Sequence, residues 1–337
     1  MRQILEHLLE RRDLSEAQAR DLLGELTNAE LAPAMAGALL AALRGKGVTP
    51  AEVRGFAGAM RLLARKPMLP DGLDAIDIVG TGGDASGSLN LSTGAALLAA
   101  ACGLPVVKHG NRSVSSRCGS ADLIERLGFT LPLDEAQSAA CFAASGFTFL
   151  FAPYFHPAMR ALAPIRAALG VRTVLNLLGP LTNPAAPRYQ LIGAYDDAAA
   201  ELIAGAVAGM AMTRAWVIHG AAGWDDATPI GPFVAFDVTQ GTVVRHVIDP
   251  RDFGLPPCSS ADLAGGDAAS NLSALLDVFE GRDRGAHRAG LVLQCGLALY
   301  IAGRSASIAA GIGEAGAALD TGQATAWLGR LRAWARA

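Results

Sequence analysis

The sequence predicts an α/β protein in which a small helical layer precedes a mostly parallel sheet. Three observations support this prediction. The first sixty-odd residues carry only helical patterns, a linker rich in proline follows at 66–72, and short β runs then alternate with helices. With 337 residues, of which 51% are hydrophobic, the chain is long enough for two domains with a sizeable core.

Four helices are predicted before the linker. The first has one apolar face, and capping signals open the other three. Ser15 and Gln18 form a capping box for the second helix, residues 27–30 open the third, and Thr49 with Pro50 opens the fourth. Proline is favoured in a first turn because its missing N–H would have no partner there.

Five short β runs follow the linker. An apolar helix at 94–102 joins the first two in a βαβ unit, so the loops after both runs lie at the same carboxyl edge of the sheet. The predicted strands are Ile76 to Val79, Val106 to Lys108, Thr148 to Phe151, Leu191 to Ala194 and Ala215 to His219.

The loop after the first strand has the composition of a site for a large polyanion. Its glycines let backbone N–H groups approach a ligand closely, and polar residues open the next helix, whose N-terminus favours phosphate oxygens. The residues concerned are Gly80, Thr81, Gly82, Gly83, Asp84, Asn90, Ser92 and Thr93. A glycine turn without a ligand is the alternative.

Two better-known phosphate loops do not fit this segment. The lysine of a Walker loop is missing. Gly80, Gly82 and Ala85 satisfy the loose form of the dinucleotide fingerprint, but a second polar stretch stands where the helix should start. The following strand also ends in Lys108 rather than in an acidic residue, so a Rossmann site is not expected.

The loop after the second strand is also polar and converges on the same edge. It runs from His109 to Ser120 and contains Asn111, Arg112 and four serines, with Lys108 at the strand end. The next helix is predicted to start with Ser120 as its N-cap. The alternatives are a surface lysine at the strand end and ordinary turn residues in the loop. Two polar loops at one edge favour a binding site.

One later helix carries a candidate carboxylate-binding residue. Arg166 falls near the helix face formed by Met159, Leu162 and Ile165, so its guanidinium could clamp a carboxylate bidentately. A solvated helical arginine is the alternative.

Two adjacent carboxylates, Asp225 and Asp226, follow the fifth predicted strand on a glycine-containing loop. Mg²⁺ prefers oxygen ligands and is commonly held by one or two carboxylates together with substrate phosphates, which suits a polyphosphate site. A solvated Asp-Asp turn is the alternative.

Composition favours a cytoplasmic metabolic enzyme. Lysine and arginine together number 28 against 31 acidic residues, and without a basic stripe we expect neither nucleic-acid nor membrane binding. The longest apolar run is too short to span a bilayer, and the N-terminus has no signal-peptide core. Five cysteines without a C-x-x-C pair predict free thiols rather than disulfides or a zinc site.

Six motifs, in this order, resemble those of the anthranilate phosphoribosyltransferase family. The resemblance covers almost the whole chain. It implies a homodimer with a small all-helical domain (1–66 plus about 157–184), a large α/β domain (73–156 and 185–337) and an active site in the cleft between them. The motifs are Gly80 to Asp84, Lys108 to Arg112, Gly119 to Asp122, Phe151 to Pro157, Asn176 to Pro184 and Gly265 to Ala268.

The resemblance also implies the ligands and their residues. The donor, 5-phosphoribosyl 1-diphosphate, would bind at Gly80, Thr81, Gly82, Gly83, Asp84, Asn90, Ser92, Thr93, Lys108 and Ser120. Anthranilate would bind at Gly80, His109, Asn111, His156, Arg166 and Gly179, and Mg²⁺ at Ser92, Asp225 and Asp226. Lys108, Asn111 and Arg166 would position the substrates, with no certain catalytic residue, for a step of tryptophan biosynthesis.

Some positions depart from the family pattern. The metal loop carries Asp226 where the family usually has Glu, and the loss of one methylene shortens its reach by about 1.5 Å, so weaker or water-mediated metal binding is expected. Ser113, Cys118 and Gln294 also differ from the usual residues. A related enzyme with another aromatic amine or nucleobase as acceptor, and a non-catalytic binding protein on the same scaffold, are therefore the alternatives.

Overall fold

A computed structural model describes residues 1–28, 30–113 and 117–337. The chain begins with the four predicted helices, and both capping boxes form, at Ser15 and at Thr49. The third helix begins at Pro33 and not at 27–30, because Thr27 ends the second helix and proline occupies the first turn of the third. Ala29 of the predicted start lies outside the described residues. The helices are α1 (Arg2–Leu9), α2 (Glu16–Leu26), α3 (Pro33–Lys46) and α4 (Pro50–Leu63).

The sheet contains seven strands within the described residues, and the five predicted ones are its parallel part. The strand order is β3-β2-β1-β4-β5-β6-β7, with β6 and β7 antiparallel. The strands are β1 (Ile76–Gly80), β2 (Val106–Gly110), β3 (Phe147–Phe151), β4 (Tyr189–Gly193), β5 (Arg214–His219), β6 (Phe233–Thr239) and β7 (Thr242–Ile248).

Sequence reasoning missed the β6–β7 hairpin. Gln240 and Gly241 form its turn with φ of 42° and 85°, a pair of positive values typical of the tight turns that join antiparallel strands. This Gln-Gly pair between two β-branched runs was the available signal. It was weak because β7 is an edge strand that is exposed along almost its whole length.

Ten further helices within the described residues complete the fold. The sixth helix starts at Ser120 with Gly119 as its N-cap, one residue earlier than predicted, because the Asp122 carboxylate accepts the Gly119 N–H. The helices are α5 (Leu91–Ala101), α6 (Ser120–Arg126), α7 (Glu135–Ser145), α8 (Ala152–Phe155), α9 (Met159–Leu169), α10 (Asp197–Val207), α11 (Ala268–Phe279), α12 (Ala286–Ile301), α13 (Ile308–Asp320) and α14 (Gln323–Ala335).

Two buried apolar clusters lie against the sheet. One contains residues of α5, α6 and α11 to α14. The other joins α1 to α4 with α10, Leu162 of α9 and the apolar residues of 174–181. The segment after α9 therefore packs with the N-terminal helices, and the polar loops remain at the carboxyl edge of the sheet. In the described part of the chain, no helix combines the length and apolar content that crossing a bilayer requires.

Candidate active site at the carboxyl edge of the sheet

The glycine loop after β1 and the acidic loop after β5 contact each other directly. The Gly82 N–H donates to the Asp225 carboxylate at 2.6 Å, and the Asp225 N–H donates to the Asp84 carboxylate at 3.2 Å. Gly82 and Gly83 adopt φ of 69° and 75°, in the left-handed region that favours glycine. The two loops predicted separately from the sequence therefore form one site.

Three glycines make room for the acidic loop. A Cβ at Gly193 would lie 1.5 Å from the carbonyl oxygen of Asp225, and a Cβ at Gly80 would lie 2.3 Å from the Asp225 carboxylate. A Cβ at Gly220 would lie 2.0 Å from the carbonyl oxygen of Asp226. A side chain at Gly193 or Gly220 would overlap the backbone of the acidic loop, and one at Gly80 would displace the Asp225 carboxylate. These three positions end or follow the neighbouring strands β1, β4 and β5. Sequence reasoning singled out Gly80 alone, although a glycine at the end of a strand was equally visible at the other two.

The acidic pair lies in a poorly solvated environment. Burial, Asp226 and Asp84 together raise the pKa of Asp225 well above its usual value. Burial also raises the pKa of Asp226 to about 6, and the Gln294 amide, which donates to this carboxylate at 2.7 Å, opposes the rise. Asp226 is only 9% exposed. The solvated turn considered from the sequence is therefore wrong for this residue.

The chemistry of the acidic pair fits Mg²⁺. Carboxylate oxygens suit this cation, and the nearby Lys108 is a single positive charge beside several carboxylates. Across 1–28, 30–113 and 117–337, no three His, Cys, Asp or Glu side chains form a ready ligand set. Ser92 lies in the first turn of α5. Mg²⁺ usually keeps water and substrate ligands, so two carboxylates suffice for the protein's share.

Lys108 is a buried charge and not a surface lysine. It is 1% exposed, and its Nζ donates to the Ile78 carbonyl oxygen at 2.5 Å. Burial lowers its pKa, while Asp77, Asp226 and Asp225 oppose that change. The ammonium therefore compensates negative charge beneath the site.

Asp77 on β1 supports Lys108 from inside the sheet. Its carboxylate accepts the His109 N–H at 3.2 Å and the Asn183 amide at 2.8 Å, and the same amide reaches the Val107 carbonyl oxygen at 2.8 Å. Burial raises the pKa of Asp77 to about 6 in spite of Lys108. The turn at 176–184 is thus fixed to β1 and β2, which places its residues beside the site.

Asn90 joins three segments instead of capping its helix. It stands at the N-cap of α5 without a side-chain capping bond. Its Nδ2 donates to the Cys118 carbonyl oxygen at 3.0 Å, and its Oδ1 accepts from Asn271 at 2.9 Å. The Asn271 side chain in turn accepts the Gly266 N–H at 2.6 Å. This explains the position of the 265–268 motif and identifies Asn271 as a residue that sequence reasoning missed.

The second polar loop is described only in part, since Ser115 and Ser116 of its four serines lie outside the described residues. Ser120 donates to the Asn111 carbonyl oxygen at 3.1 Å. The Asn111 side chain is exposed and accepts the N–H of the next residue, Arg112. Arg112 pairs with Glu125, which favours the alternative of an ordinary turn residue for this position.

His109, His156 and Gly179, which the resemblance assigns to the acceptor, lie next to one another in the structure. The two rings contact edge to face, with 5.1 Å between centroids. Burial is the main cause that lowers the pKa of His109 to about 3 and that of His156 to about 4, so both are neutral at pH 7. Nδ1 of His109 lies 3.3 Å from the Gly179 carbonyl oxygen. A carbonyl only accepts, so the proton lies on Nδ1 and the buried Nε2 retains its lone pair.

Two arginines near the site were missed from the sequence. Arg61 on α4 donates from Nε to the Leu181 carbonyl oxygen at 2.8 Å, its Nη2 is buried without a partner in the described residues, and burial lowers its pKa to about 10. Arg172 donates to the Gly83 carbonyl oxygen and stacks 3.9 Å from the Tyr195 ring centre. Neither stands in a motif, so no local signal marked them.

Arg166 is exposed on α9, while Leu162 is buried beneath the same helix and Met159 and Ile165 are half-buried. Of the four residues predicted to share one helix face, the three apolar ones therefore face the core, and Arg166 does not. Desolvation lowers the pKa of the guanidinium, and no described residue forms a hydrogen bond or ion pair with it. It is accordingly available to an anionic ligand.

Comparisons with known proteins show which family the chain is similar to. Residues 72–325 match the α/β domain of a glycosyl transferase family, and residues 2–64 match the helical bundle domain of the same family. The anthranilate phosphoribosyltransferase of Desulforudis audaxviator is 44% identical over 332 residues, which cover 98% of this chain and 95% of that protein. The enzyme of the same name from Chloroflexus aggregans is 42% identical over 100% of this chain and 98% of its own length.

Solved structures with the same fold lead to the same group. Anthranilate phosphoribosyltransferase from Thermus thermophilus superposes with a TM-score of 0.92 at 38% identity, with 99% of both chains covered. The Saccharomyces cerevisiae enzyme in complex with PRPP and Mg has a TM-score of 0.88 at 25% identity and covers 99% of this chain and 97% of its own.

Proposed function

The chain belongs to the anthranilate phosphoribosyltransferases of the glycosyl transferase family, and from this we propose that it transfers the 5-phosphoribosyl group of 5-phosphoribosyl 1-diphosphate to the amine of anthranilate. The products are N-(5-phosphoribosyl)anthranilate and pyrophosphate, in a step of tryptophan biosynthesis. The observation that carries this proposal is the contact between Gly82 and Asp225, which joins a phosphate-type glycine loop to a pair of buried carboxylates.

Several features of the carboxyl edge support donor binding there. The N-terminus of α5 has no side-chain cap among the described residues, and the Thr81 and Thr93 hydroxyls are buried without a hydrogen-bond partner there. Lys108 adds a positive charge. We assign the donor to Gly80, Thr81, Gly82, Gly83, Asp84, Asn90, Ser92, Thr93, Lys108 and Ser120.

Displacement of pyrophosphate builds negative charge on the leaving group. Asp225, Asp226 and Ser92 would hold Mg²⁺, which when bound neutralises part of that charge. The Lys108 ammonium stabilises the same charge from a fixed position, at no cost of reorganisation. The glycine loop contributes its backbone N–H groups other than those of Thr81 and Gly82, which already donate to the Gly193 carbonyl oxygen and to the Asp225 carboxylate.

The acceptor is positioned and not deprotonated. An arylamine is neutral at pH 7, so its nitrogen needs alignment rather than a strong base. We assign Nε2 of neutral His109 as an acceptor for the amine N–H and the unpaired Arg166 guanidinium as the partner of the carboxylate. Gly80, Asn111, His156 and Gly179 complete this pocket, and attack from the side opposite the diphosphate inverts C1.

We extend the proposal to the assembly. A small helical domain (1–66 plus about 157–184) and a large domain (73–156 and 185–337) would enclose the substrates in their cleft. Leu9, Leu62 and Leu63 are large apolar residues exposed at 61%, 73% and 43% at the ends of α1 and α4, which supports pairing of two copies through the helical layer. We expect a cytoplasmic homodimer.

A fluorescence assay tests the proposed reaction. The protein is mixed with Mg²⁺, 5-phosphoribosyl 1-diphosphate and anthranilate, and loss of anthranilate fluorescence is followed beside a panel of other aromatic amines and thymidine plus phosphate. We expect turnover of anthranilate that requires the donor and Mg²⁺. Turnover of another acceptor without turnover of anthranilate would establish the alternative acceptor, and no turnover with tight nucleic-acid binding would establish a binding protein.

A further inference from the structure

Gln294 is a buried polar residue within an apolar stretch of helix, residues 289–299. It lies on α12, which packs on α5 and against β4 and β5, and it is 1% exposed. Its Nε2 donates to Oδ1 of Asp226 at 2.7 Å, across 68 residues of sequence. Both positions depart from the family pattern, and the structure places them in contact.

The main chain at Asp226 packs closely on the end of β5. The carbonyl oxygen of Asp226 lies beside Gly220, where a Cβ would be 2.0 Å away, so only a residue without a side chain leaves space for it. The Asp226 carboxylate extends from this packed backbone on a single methylene. Gln294, with two methylenes, has the length that reaches this carboxylate with a hydrogen bond.

The contact orients Asp226 without neutralising it. A neutral amide donates to one carboxylate oxygen, whereas an arginine or lysine would cancel the charge. Within the ranges that the structure describes, the second oxygen of Asp226 accepts no hydrogen bond, and Gln294 is the one side chain that donates to this residue. The free oxygen and the full charge remain for a cation.

We propose that Gln294 is a positioning residue for Mg²⁺ binding, and that the side-chain lengths of Asp226 and Gln294 are matched to each other. The proposal rests on the proposed use of Mg²⁺ by the acidic pair. If Gln294 were shortened to Asn, the 2.7 Å contact would open by about 1.5 Å and cease to be a hydrogen bond. If Asp226 were lengthened to Glu, its carboxylate would be pushed against the Gln294 amide. When Asp226 is lengthened and Gln294 is shortened together, the combined length of the two side chains is unchanged and the hydrogen bond can form again.

Four proteins test the length matching: the wild type, Gln294→Asn, Asp226→Glu and the double variant Asp226→Glu/Gln294→Asn. Mg²⁺ is titrated in the presence of 5-phosphoribosyl 1-diphosphate, with calorimetry and the Mg²⁺-dependent rise in melting temperature as readouts. Loss of a residue that orients a metal ligand typically costs 10-fold to 100-fold in affinity. We expect each single variant to need about tenfold more Mg²⁺ and the double variant to return to near the wild-type requirement. For Asp226→Glu this is the opposite of what the length of Asp226 alone suggested from the sequence, because Gln294 is matched to the shorter side chain.

A matched control and a variant of similar length show whether Gln294 acts by positioning Asp226 or only by filling space. Gln323→Asn shortens another glutamine whose amide donates to a backbone carbonyl, that of Ala101, at 2.8 Å at the far end of α5, and should leave the Mg²⁺ requirement unchanged. Gln294→Met keeps the length without a donor and should match Gln294→Asn. Urea unfolding without Mg²⁺ shows whether each variant is folded.

Two results would overturn the inference. The first is an unchanged Mg²⁺ requirement in Gln294→Asn and Gln294→Met, which reduces Gln294 to a packing residue. The second is a double variant whose Mg²⁺ requirement rises by as much as the two single variants combined. That result would show that the side-chain lengths of Asp226 and Gln294 are not matched. Absence of any Mg²⁺-dependent donor binding in the wild type would instead defeat the proposed function itself, and the inference with it.

Discussion

The Gly82 N–H and the Asp225 carboxylate are 2.6 Å apart, although 143 residues of sequence separate them. Through this bond, the loop that follows β1 and the loop that follows β5 hold each other in place at the edge of the sheet. The strand between them, β4, ends in Gly193, whose missing side chain leaves the space that Asp225 occupies. The shape of the site is therefore set by backbone contacts as well as by its charged side chains.

Replacing Gly193 by alanine should displace the acidic loop. The added Cβ would coincide with the Asp225 carbonyl oxygen, so the loop must move. We expect a loss of about 1 to 3 kcal/mol in the free energy of unfolding, as for other overpacked sites. We also expect kcat/KM to fall by a larger fraction of its wild-type value than the free energy of unfolding does. Urea unfolding and the anthranilate assay measure the two effects. Gly329→Ala is the control, because its Cβ would have open space; equal behaviour of the two variants would contradict the role of Gly193.

The parallel part of the fold was predictable because each strand is a short buried run followed by a polar loop. These are local signals, and the crossover rule converts them into a topology. The hairpin of β6 and β7 was not predictable in the same way. Val243, Val244 and Val247 are apolar yet exposed, so the alternation that marks a half-buried strand is absent from β7.

The site was predictable where its residues are neighbours in sequence. The glycine loop and the pair Asp225 and Asp226 were found because each is a compact motif. Gln294 and Asn271 were not assigned roles, because nothing in a helical pattern tells which buried amide will meet a loop brought in from a distant segment. Tertiary hydrogen bonds of this kind leave no periodic signal.

Removing the charge of Lys108 should destabilise the protein strongly. Lys108→Met leaves Asp77, Asp225 and Asp226 without the buried positive charge that acts on all three, and leaving buried charges uncompensated typically costs about 3 to 5 kcal/mol. We expect a loss of about 3 kcal/mol by urea unfolding. Added Mg²⁺ should recover part of it if it binds the same carboxylates. Lys66→Met, at an exposed lysine, is the control. An equally small loss of unfolding free energy in both variants would show that Lys108 does not compensate the buried carboxylates.

The depressed pKa of His109 predicts a specific pH dependence of stability. Its pKa is about 3 in the folded chain against about 6.5 when solvated, so between these values the unfolded chain binds one more proton. Stability therefore falls as the pH drops below 6.5, by up to about 1.4 kcal/mol per pH unit from this residue. His109→Gln should lose that part of the slope between pH 4 and 6.5. Urea unfolding across this range compares the two proteins, and parallel curves would show that the ring is not neutral when folded.

Replacing Arg166 should weaken the binding of the acceptor and spare that of the donor. The guanidinium has no hydrogen-bond or ion-pair partner among the described residues, so it is free to bind a carboxylate, and a charged hydrogen bond of this kind contributes about 1.5 to 3 kcal/mol. Arg166→Ala should therefore raise the KM for anthranilate by about tenfold to a hundredfold, with the KM for 5-phosphoribosyl 1-diphosphate within about twofold. Arg160→Ala, at an exposed arginine of the same helix, should change neither constant. Steady-state kinetics with each substrate varied in turn measures both constants. An unchanged KM for anthranilate in Arg166→Ala would assign the carboxylate to another cation, for which Arg61 on α4 is a candidate because its Nη2 is buried without a partner in the described residues.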